Sequence, residues 1–261
     1  TWVSTNLIPN ISGITGNIYN GLATNLVFTI TNNTDNVDVK FSEGGSVFHT
    51  VSDQSVSSGS FTLATPSQVY GQTVGDTISI TVVNSDGSPS GNAVTKTVGS
   101  LPTGGTITTS GDYRIHSFTS SGNFVTPAGF PTVTANYTIF AGGGGGGAGQ
   151  VASSLGGGGG GGGGYLTGNS SIAASTTYAV VIGAGGAGSP ANVSSSSANG
   201  SNSTALSLTS IGGGGGGNRN GVEQGKDGGS GGGSCGTASL DGGAGTSGQG
   251  NRGGNQTTGD W

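Results

Sequence analysis

The sequence has no methionine, a single cysteine and few charged residues, which make up 7% of its 261 positions. One cysteine, Cys235, excludes an intrachain disulfide. The 6 lysines and arginines are scattered singly and form no basic stripe that could hold a phosphate backbone, so we expect no nucleic-acid partner. No apolar run is long enough to span a membrane, so we expect no membrane insertion. Without an initiator methionine or a secretory leader, we expect a soluble chain that is processed or part of a longer protein.

Groups that could carry out catalysis are scarce as well. His49 and His116 have no cysteine or second histidine at ligand-like spacing, and we interpret both as structural residues of strands. His116 is expected to pack near Tyr113 or Phe118. Cys235 has no neighbouring base, and no Gly-x-x-x-x-Gly-Lys-Ser/Thr phosphate loop occurs. We therefore expect a protein that is not an enzyme, with no catalytic residue, metal or cofactor.

Acidic residues in the first hundred positions leave one alternative open. Asp35, Asp38 and Asp53, with Glu43 nearby, could offer oxygen ligands to calcium at one end of a sandwich. Their spacing does not match an EF-hand loop. Solvated loop acids are therefore the favoured interpretation.

Glycine is the abundant residue, and it is unevenly distributed. Of the 60 glycines, 11 lie in residues 1–103 and 49 in residues 104–261. A single conventional core cannot extend along such a chain. The sequence predicts a first domain at 1–101, a linker at 102–110 and a glycine-rich domain at 111–261.

The first domain shows the pattern of an all-β sandwich. Alternation is clearest at 77–82, where Ile78 and Ile80 would face the core and threonine and serine would face water. The hairpin 76–98, with the turn 84–87, resembles the final hairpin of immunoglobulin-like domains of bacterial and phage surface proteins, and this implies an immunoglobulin-like β-sandwich. The predicted strands are 26–31, 37–41, 46–50, 59–63, 77–83 and 93–98.

The glycine-rich domain combines strands with glycine runs. Strands are predicted within 112–140 and at 177–182 and 203–211. Uninterrupted glycine runs occupy 142–147, 156–164 and 212–217. Each run follows a strand-like segment, and this recurrence favours packed structure over a flexible linker.

The packed structure available to glycine runs is a bundle of polyglycine II helices. Such a helix has three residues per turn and no internal hydrogen bonds, so neighbouring helices must exchange backbone bonds at close range. The run 156–164 would be about 28 Å long, enough for a central rod. Glycines at every third position, as at Gly225, Gly228 and Gly231, fit outer helices. The predicted fold is mainly β, with a C-terminal β/polyglycine II helix bundle and essentially no α-helix.

Two motifs in this part resemble a known family. Segment 112–124 (DYRIHSFTSSGNF), followed by Pro127 and a long glycine run, resembles the opening of the glycine-rich domain of bacteriophage tail-fibre and related virion proteins. Segment 177–188 (TYAVVIGAGGAG) is similar to that family's second landmark, a strand that runs into a small-residue turn. The resemblance covers 111–261. The C-terminal part is also similar to polyglycine-helix tip adhesins of tailed phages, although it lacks their long, aromatic-rich loops.

The resemblance implies a non-enzymatic structural protein of a tailed phage, a fibre or appendage component that displays a host-attachment domain on the extracellular virion surface. Other virion proteins and a host cell-surface glycan or protein would be its partners, and a homo-oligomer would fit fibre symmetry. The polar segment that follows the third glycine run is the candidate contact loop, because its planar hydrogen-bonding groups suit an exposed turn. Its residues are Asn218, Arg219, Asn220, Glu223 and Gln224. A solvated loop between two glycine helices is the alternative interpretation.

Three other functions stay open. A purely structural capsid or tail decoration would never meet a receptor. A secreted bacterial surface adhesin would carry a signal or sorting segment in the full gene. An ice-binding protein, the lowest-ranked alternative, would show a regular threonine or alanine row and disulfide staples, and neither is evident.

Overall fold

The computed structural model describes residues 9–31, 36–56, 59–85, 91–111, 113–150, 156–191, 197–219, 224–236 and 239–257. The chain divides into two compact units, Thr1–Leu101 and Pro102–Trp261, called the N-terminal and C-terminal units below. Within the described ranges the regular structure is almost entirely β, with one short helix, α1 (Ser67–Tyr70). This confirms the predicted mainly-β class with essentially no α-helix.

The N-terminal unit contains two β-sheets. Their strands are β1 (Asn10–Thr15), β2 (Ile18–Tyr19), β3 (Asn25–Thr31), β4 (Val37–Glu43), β5 (Ser46–Gln54), β6 (Ser60–Ala64), β7 (Thr77–Asn84) and β8 (Ala93–Gly99). The first sheet has the order β1-β3-β6 and the second has the order β2-β8-β7-β4-β5. Neighbouring strands are antiparallel, except that β2 pairs with β8 in parallel.

Residues from both sheets form one hydrophobic core. In β7, Ile78, Ile80 and Val82 are fully buried, as the alternating pattern predicts. Phe28 of the first sheet and Phe41 of the second belong to the same buried cluster. The N-terminal unit is therefore a β-sandwich, and the six strands predicted for it overlap β3 to β8. The pattern does not predict β1 or β2, because a bulge interrupts β1 and β2 has only 2 residues.

The strands of the C-terminal unit form two-stranded antiparallel ribbons. They are β9 (Thr106–Ser110), β10 (Tyr113–Ser117), β11 (Gly122–Val125), β12 (Val133–Phe140), β13 (Tyr165–Ile172), β14 (Thr177–Val180), β15 (Ser203–Ala205) and β16 (Leu208–Ser210). The ribbons are β9–β10, β11–β14, β12–β13 and β15–β16. Two of them, β11–β14 and β12–β13, join strands that are far apart in sequence.

Three features of the C-terminal unit differ from the sequence prediction. The segment 102–110, predicted as a linker, contains β9, which pairs with β10 over its whole length. The segment 203–211, predicted as one strand, is the hairpin β15–β16, because Leu206 and Ser207 take φ values of 54° and 62° and form a two-residue turn. The third is β13, which the pattern does not predict because a glycine and several small polar residues interrupt its alternation.

The glycine runs are packed against one another as parallel and antiparallel helices that exchange backbone hydrogen bonds. Bonds recur every three residues: Gly158 N donates to Gly217 O at 2.9 Å, and Gly161 N donates to Gly214 O at 2.7 Å. This is the repeat of a polyglycine II helix. A Cβ at Gly214 would overlap the carbonyl oxygen of Lys226, so side chains are excluded from the interior.

The centre of the bundle is the run 212–217, in which every glycine is buried. It bonds to the runs 142–147 and 156–164 and to segments 198–201 and 226–233. The prediction that 156–164 forms the central rod is therefore wrong. That run is an outer helix, in which Gly158, Gly161 and Gly164 are buried while the glycines between them are largely exposed. Run length does not decide position, because the central place goes to the helix whose backbone groups find partners on every side.

Candidate functional site

The β12–β13 ribbon continues without a break into two glycine helices. The last ribbon pair is Phe140 with Tyr165. Beyond it, Gly144 N donates to Gly161 O at 2.8 Å, and the next bond along the two runs follows three residues later. The two chain segments, 133–147 and 158–172, thus stay antiparallel in one register while their backbone changes from β to polyglycine II. One surface therefore extends from the ribbon onto the glycine bundle.

One face of this ribbon is exposed along its length, and we call it the ribbon face. The opposite face is turned to the interior, where Ile139 and Ile172 are buried. None of the residues of the ribbon face is charged. They form four directly opposed pairs, Thr134 with Ser171, Asn136 with Asn169, Thr138 with Thr167 and Phe140 with Tyr165.

An aromatic pair lies at the end of the ribbon face that adjoins the glycine helices. Phe140 is 65% exposed and Tyr165 is 47% exposed. Their ring centroids are 5.1 Å apart with the planes inclined by 40°. Aromatic rings usually contribute to a protein by being buried. A pair of neighbouring rings left in solvent therefore marks a candidate contact surface.

The glycine helices extend the ribbon face with bare backbone. Gly143 and Gly146 follow Phe140 at three-residue spacing, Gly162 and Gly159 precede Tyr165 in the same way, and all four are exposed. Their carbonyl groups accept bonds from neighbouring helices. Their amides donate to no atom of the described chain. The surface beside the aromatic pair is thus a row of exposed N–H donors.

Side chains complete the backbone bonding of the bundle where no neighbouring helix is in reach. Ser203 is fully buried, and its Oγ accepts a hydrogen bond of 2.9 Å from Gly183 N. Asn199 Oδ1 accepts a bond of 2.9 Å from Gly215 N, and its Nδ2 donates to Asp227 O at 2.9 Å. A hydroxyl or carboxamide here replaces a peptide group, so the bundle needs particular polar residues beside its glycines.

Replacing Ser203 by alanine is expected to lower the free energy of unfolding of the C-terminal unit by about 1–3 kcal/mol, because the half-buried Gly183 amide loses the acceptor that the buried hydroxyl supplies. Denaturant unfolding of the full chain measures the change. Ser201→Ala is the matched control, since Ser201 lies two residues away, is exposed and uses only its backbone in the bonds described. Equal stability of the two variants would contradict the assigned role of the hydroxyl.

The predicted contact loop is only partly suited to contact. Asn218 is 0% exposed, so the contact role predicted for its side chain is wrong. Arg219 is half-buried, and Gln224 is exposed. Asn220 and Glu223 lie outside the described residues. The glycine helix ending at residue 217 draws the first residue of this segment into the interior, an effect that the polarity of the segment does not reveal.

The two histidines and the cysteine have structural surroundings. His116 Nδ1 donates to Gly104 O at 2.8 Å, and its ring packs edge-on against Phe124 with centroids 4.9 Å apart. Tyr113, a predicted neighbour of His116, projects from the opposite face of β10 because side chains alternate along a strand. His49 is half-buried, as expected for a strand histidine. Cys235 is buried.

The acidic residues considered for calcium do not form a shared site within the described ranges. Asp38 Oδ1 accepts a bond of 2.9 Å from Asp53 N, and Asp53 Oδ1 accepts a bond of 2.8 Å from Asn36 Nδ2. Glu43 lies at the far end of β4 from Asp38. Asp35 is outside the described residues. No group of three or more metal-ligating side chains occurs among the described residues.

Three further observations concern the described residues. Burial raises the pKa of Tyr19, an effect partly offset by the hydrogen bond that Asn17 Nδ2 donates to its hydroxyl. A cleft of about 390 Å³ between β14 and the β15–β16 hairpin is lined by uncharged residues. Among the described residues, no helix has the length and hydropathy needed to cross a membrane.

The ribbons and the packed polyglycine helices define the C-terminal unit as a glycine-rich β/polyglycine II domain. The family model described as "Glycine-rich domain" matches residues 117–260, and the chain belongs to this family. Comparison with curated proteins and with solved structures gives no match. The family match covers the ribbon face and every glycine run.

Proposed function

We propose that this chain is a non-enzymatic structural protein of a tailed-bacteriophage virion, a fibre or appendage component that displays a host-attachment domain on the virion surface. Its partners are other virion proteins and a host cell-surface molecule. The observation that carries the proposal is the polyglycine bundle, in which backbone groups of neighbouring helices satisfy one another and side chains are excluded from the centre. Such a unit is a thin, stiff support for a surface.

We also propose that the N-terminal unit is an immunoglobulin-like domain. The sheet orders β1-β3-β6 and β2-β8-β7-β4-β5 support this, because in such a domain they would correspond to strands A-B-E and to G-F-C-C′ with a short additional strand, β2, at the edge. The final hairpin, β7–β8, is the one that resembles phage and bacterial surface domains. In the proposed role this sandwich anchors the chain, and the bundle carries the contact surface.

Attachment by such a domain works by passive display. Each copy makes weak contacts with the cell surface, and several copies on one particle bind together with far higher avidity. This mechanism needs a rigid, accessible surface and no titratable group. The exposed ribbon face and aromatic pair provide such a surface.

Particles that lack the protein are expected to adsorb to host cells at least about tenfold more slowly than complete particles, because multivalent contact is lost. The adsorption rate, with immunogold labelling to place the protein on the particle, checks this. Particles restored with the wild-type chain are the control. Unchanged adsorption of the deficient particles would contradict the attachment role and favour the capsid or tail decoration.

Two further alternatives are separated by simple observations. A secreted bacterial adhesin predicts a signal or sorting segment in the full gene and no label on phage particles. Ice binding predicts a regular row of threonines or alanines, whereas the ribbon face has one threonine pair, which lies between an asparagine pair and the aromatic pair. The thermal hysteresis of a chain solution would reveal ice binding directly.

A further inference from the structure

The ribbon face is built differently from the rest of the exposed surface around it. It joins an aromatic pair to three pairs of hydroxyl and carboxamide side chains, all in register. The exposed amides of the glycine helices lie on the other side of the aromatic pair. The buried side chains of β12 and β13 lie on the opposite face. Of the hydroxyl and carboxamide groups on the ribbon face, only that of Thr167 bonds within the ribbon, where it donates to Tyr137 O at 3.0 Å. The other groups of the ribbon face are therefore available to contact a partner.

We propose that the ribbon face and the adjoining glycine amides bind an extended, uncharged glycan chain. The proposal rests on the attachment function and names the class of its receptor. The aromatic rings of Phe140 and Tyr165 would stack on the apolar faces of sugar rings. The carboxamides of Asn136 and Asn169 offer paired donors and acceptors to hydroxyl groups, and the glycine amides offer donors to ring and hydroxyl oxygens.

The lack of charged groups on this surface favours an uncharged ligand. The ribbon face and the exposed positions Gly143, Gly146, Gly159 and Gly162 contain no lysine or arginine. A nucleic acid, a teichoic acid or another polyanion would find no cation to pair with its charges. The chain as a whole has a formal net charge of −5 and would repel such a polymer. A neutral polymer pays no such penalty.

The polarity and length of the surface favour a glycan over a protein. The core of a protein interface is rich in apolar residues, whereas six of the eight residues of the ribbon face are serine, threonine or asparagine. Four cross-strand pairs at about 7 Å spacing give roughly 20 Å of ribbon. The glycine helices add about 19 Å in the same direction. The platform therefore has room for several consecutive sugar rings.

The test measures binding of the full chain to three uncharged probes, maltohexaose, cellohexaose and chitohexaose, by titration calorimetry and by chemical-shift changes. We expect one of them to bind and to shift the backbone signals of 134–146 and 159–171. The double variant Phe140→Ala/Tyr165→Ala should weaken that binding at least tenfold. The control is Tyr113→Ala, which removes a 67% exposed ring from β10 and should leave binding unchanged. Amide exchange of both variants shows whether the bundle stays folded.

A second variant keeps the test decisive if loss of both rings disturbs the ribbon. Asn136→Ala/Asn169→Ala removes exposed carboxamides from the middle of the face and should weaken binding at least threefold. Binding by no probe, or equal binding by wild type and both double variants, would overturn the proposal. Self-association of the chain that disappears in the aromatic double variant would also overturn it, because a second copy would then be the occupant.

Cell attachment separates failure of this proposal from failure of the attachment function. If the wild-type chain attaches to host cells and the aromatic double variant attaches equally well, the glycan surface is wrong and the attachment function stands. If the wild-type chain does not attach at all, the attachment function fails and the glycan proposal, which rests on it, falls with it.

Discussion

Replacement of Gly158 by alanine should lower the free energy of unfolding of the C-terminal unit by about 3 kcal/mol or more. A Cβ at this position would overlap Gly233 O and come within 2.7 Å of Gly217 N. Both obstacles are backbone atoms of packed helices, so no side-chain rotation relieves the overlap. The bond from Gly158 N to Gly217 O would break as the helices move apart. Thermal and denaturant unfolding of the full chain, with amide exchange in 212–217, measures the effect.

The neighbouring residue provides the matched control. A Cβ at Gly159 would meet nothing within 4 Å, although Gly159 belongs to the same helix and the same run of glycines. Gly159→Ala should be neutral or should stabilise the unit by up to about 1 kcal/mol, since alanine has less unfolded-state entropy to lose. If both variants lowered the free energy of unfolding by the same amount, the assignment of buried and open positions in this helix would be wrong. If neither variant lost stability, the close packing of backbones in the bundle would be contradicted.

Replacement of Phe41 by alanine should destabilise the N-terminal unit by about 3–5 kcal/mol. Phe41 is 0% exposed and lies in the cluster shared by the two sheets. Its removal takes a large apolar surface out of the core and leaves a cavity that the neighbouring strands cannot fully close. For a unit of this size, the loss corresponds to a fall in Tm of roughly 10 °C or more. Calorimetry of the full chain with amide exchange in β4 and β7 checks it.

Val47→Ala is the control for the sandwich. Val47 belongs to β5, the strand that pairs with β4, and it is 55% exposed. The variant should change the free energy of unfolding by less than about 1 kcal/mol, because little apolar surface is lost. A similar loss of stability in the two variants would contradict a hydrophobic core between the sheets.

The two predictions together distinguish two ways of building an interior. The sandwich is stabilised by apolar side chains, so removing atoms at Phe41 damages it. The bundle is stabilised by backbone hydrogen bonds at close approach, so adding one carbon at Gly158 damages it. For the proposed attachment role, the second kind of interior leaves outward positions free to carry a contact surface without disturbing the packing.

The sequence was informative where the physical signal is local. Alternation of apolar and polar residues predicts β3 to β8. The pattern is local, because successive side chains of a strand point to opposite faces of the sheet. Recurring glycine runs indicate packed polyglycine helices, because such runs form hydrogen bonds only with other backbones. The hairpin β15–β16 escaped prediction because Leu206 and Ser207 form its turn without the glycine or asparagine that usually marks one.

The candidate site was less accessible to sequence reasoning. Polarity and position indicate an exposed loop at residues 218–224, yet Asn218 is buried by the end of the central helix. Tyr165 directly follows one glycine run and Phe140 lies two residues before another, which is a visible signal. Only the pairing of β12 with β13, two strands separated by two glycine runs, shows that their rings lie together.

By itself, the sequence determines that this protein has a β-sandwich followed by strands and packed glycine helices, since alternation and glycine content are properties of short segments. Only the tertiary structure decides which helix is central, which glycines face solvent and which strands share the ribbon face. A run of identical glycines has no side chain to specify register or neighbours. The register and the neighbours of each run are therefore decided by the folded unit as a whole, in which buried amides and carbonyls bond to other segments of the chain.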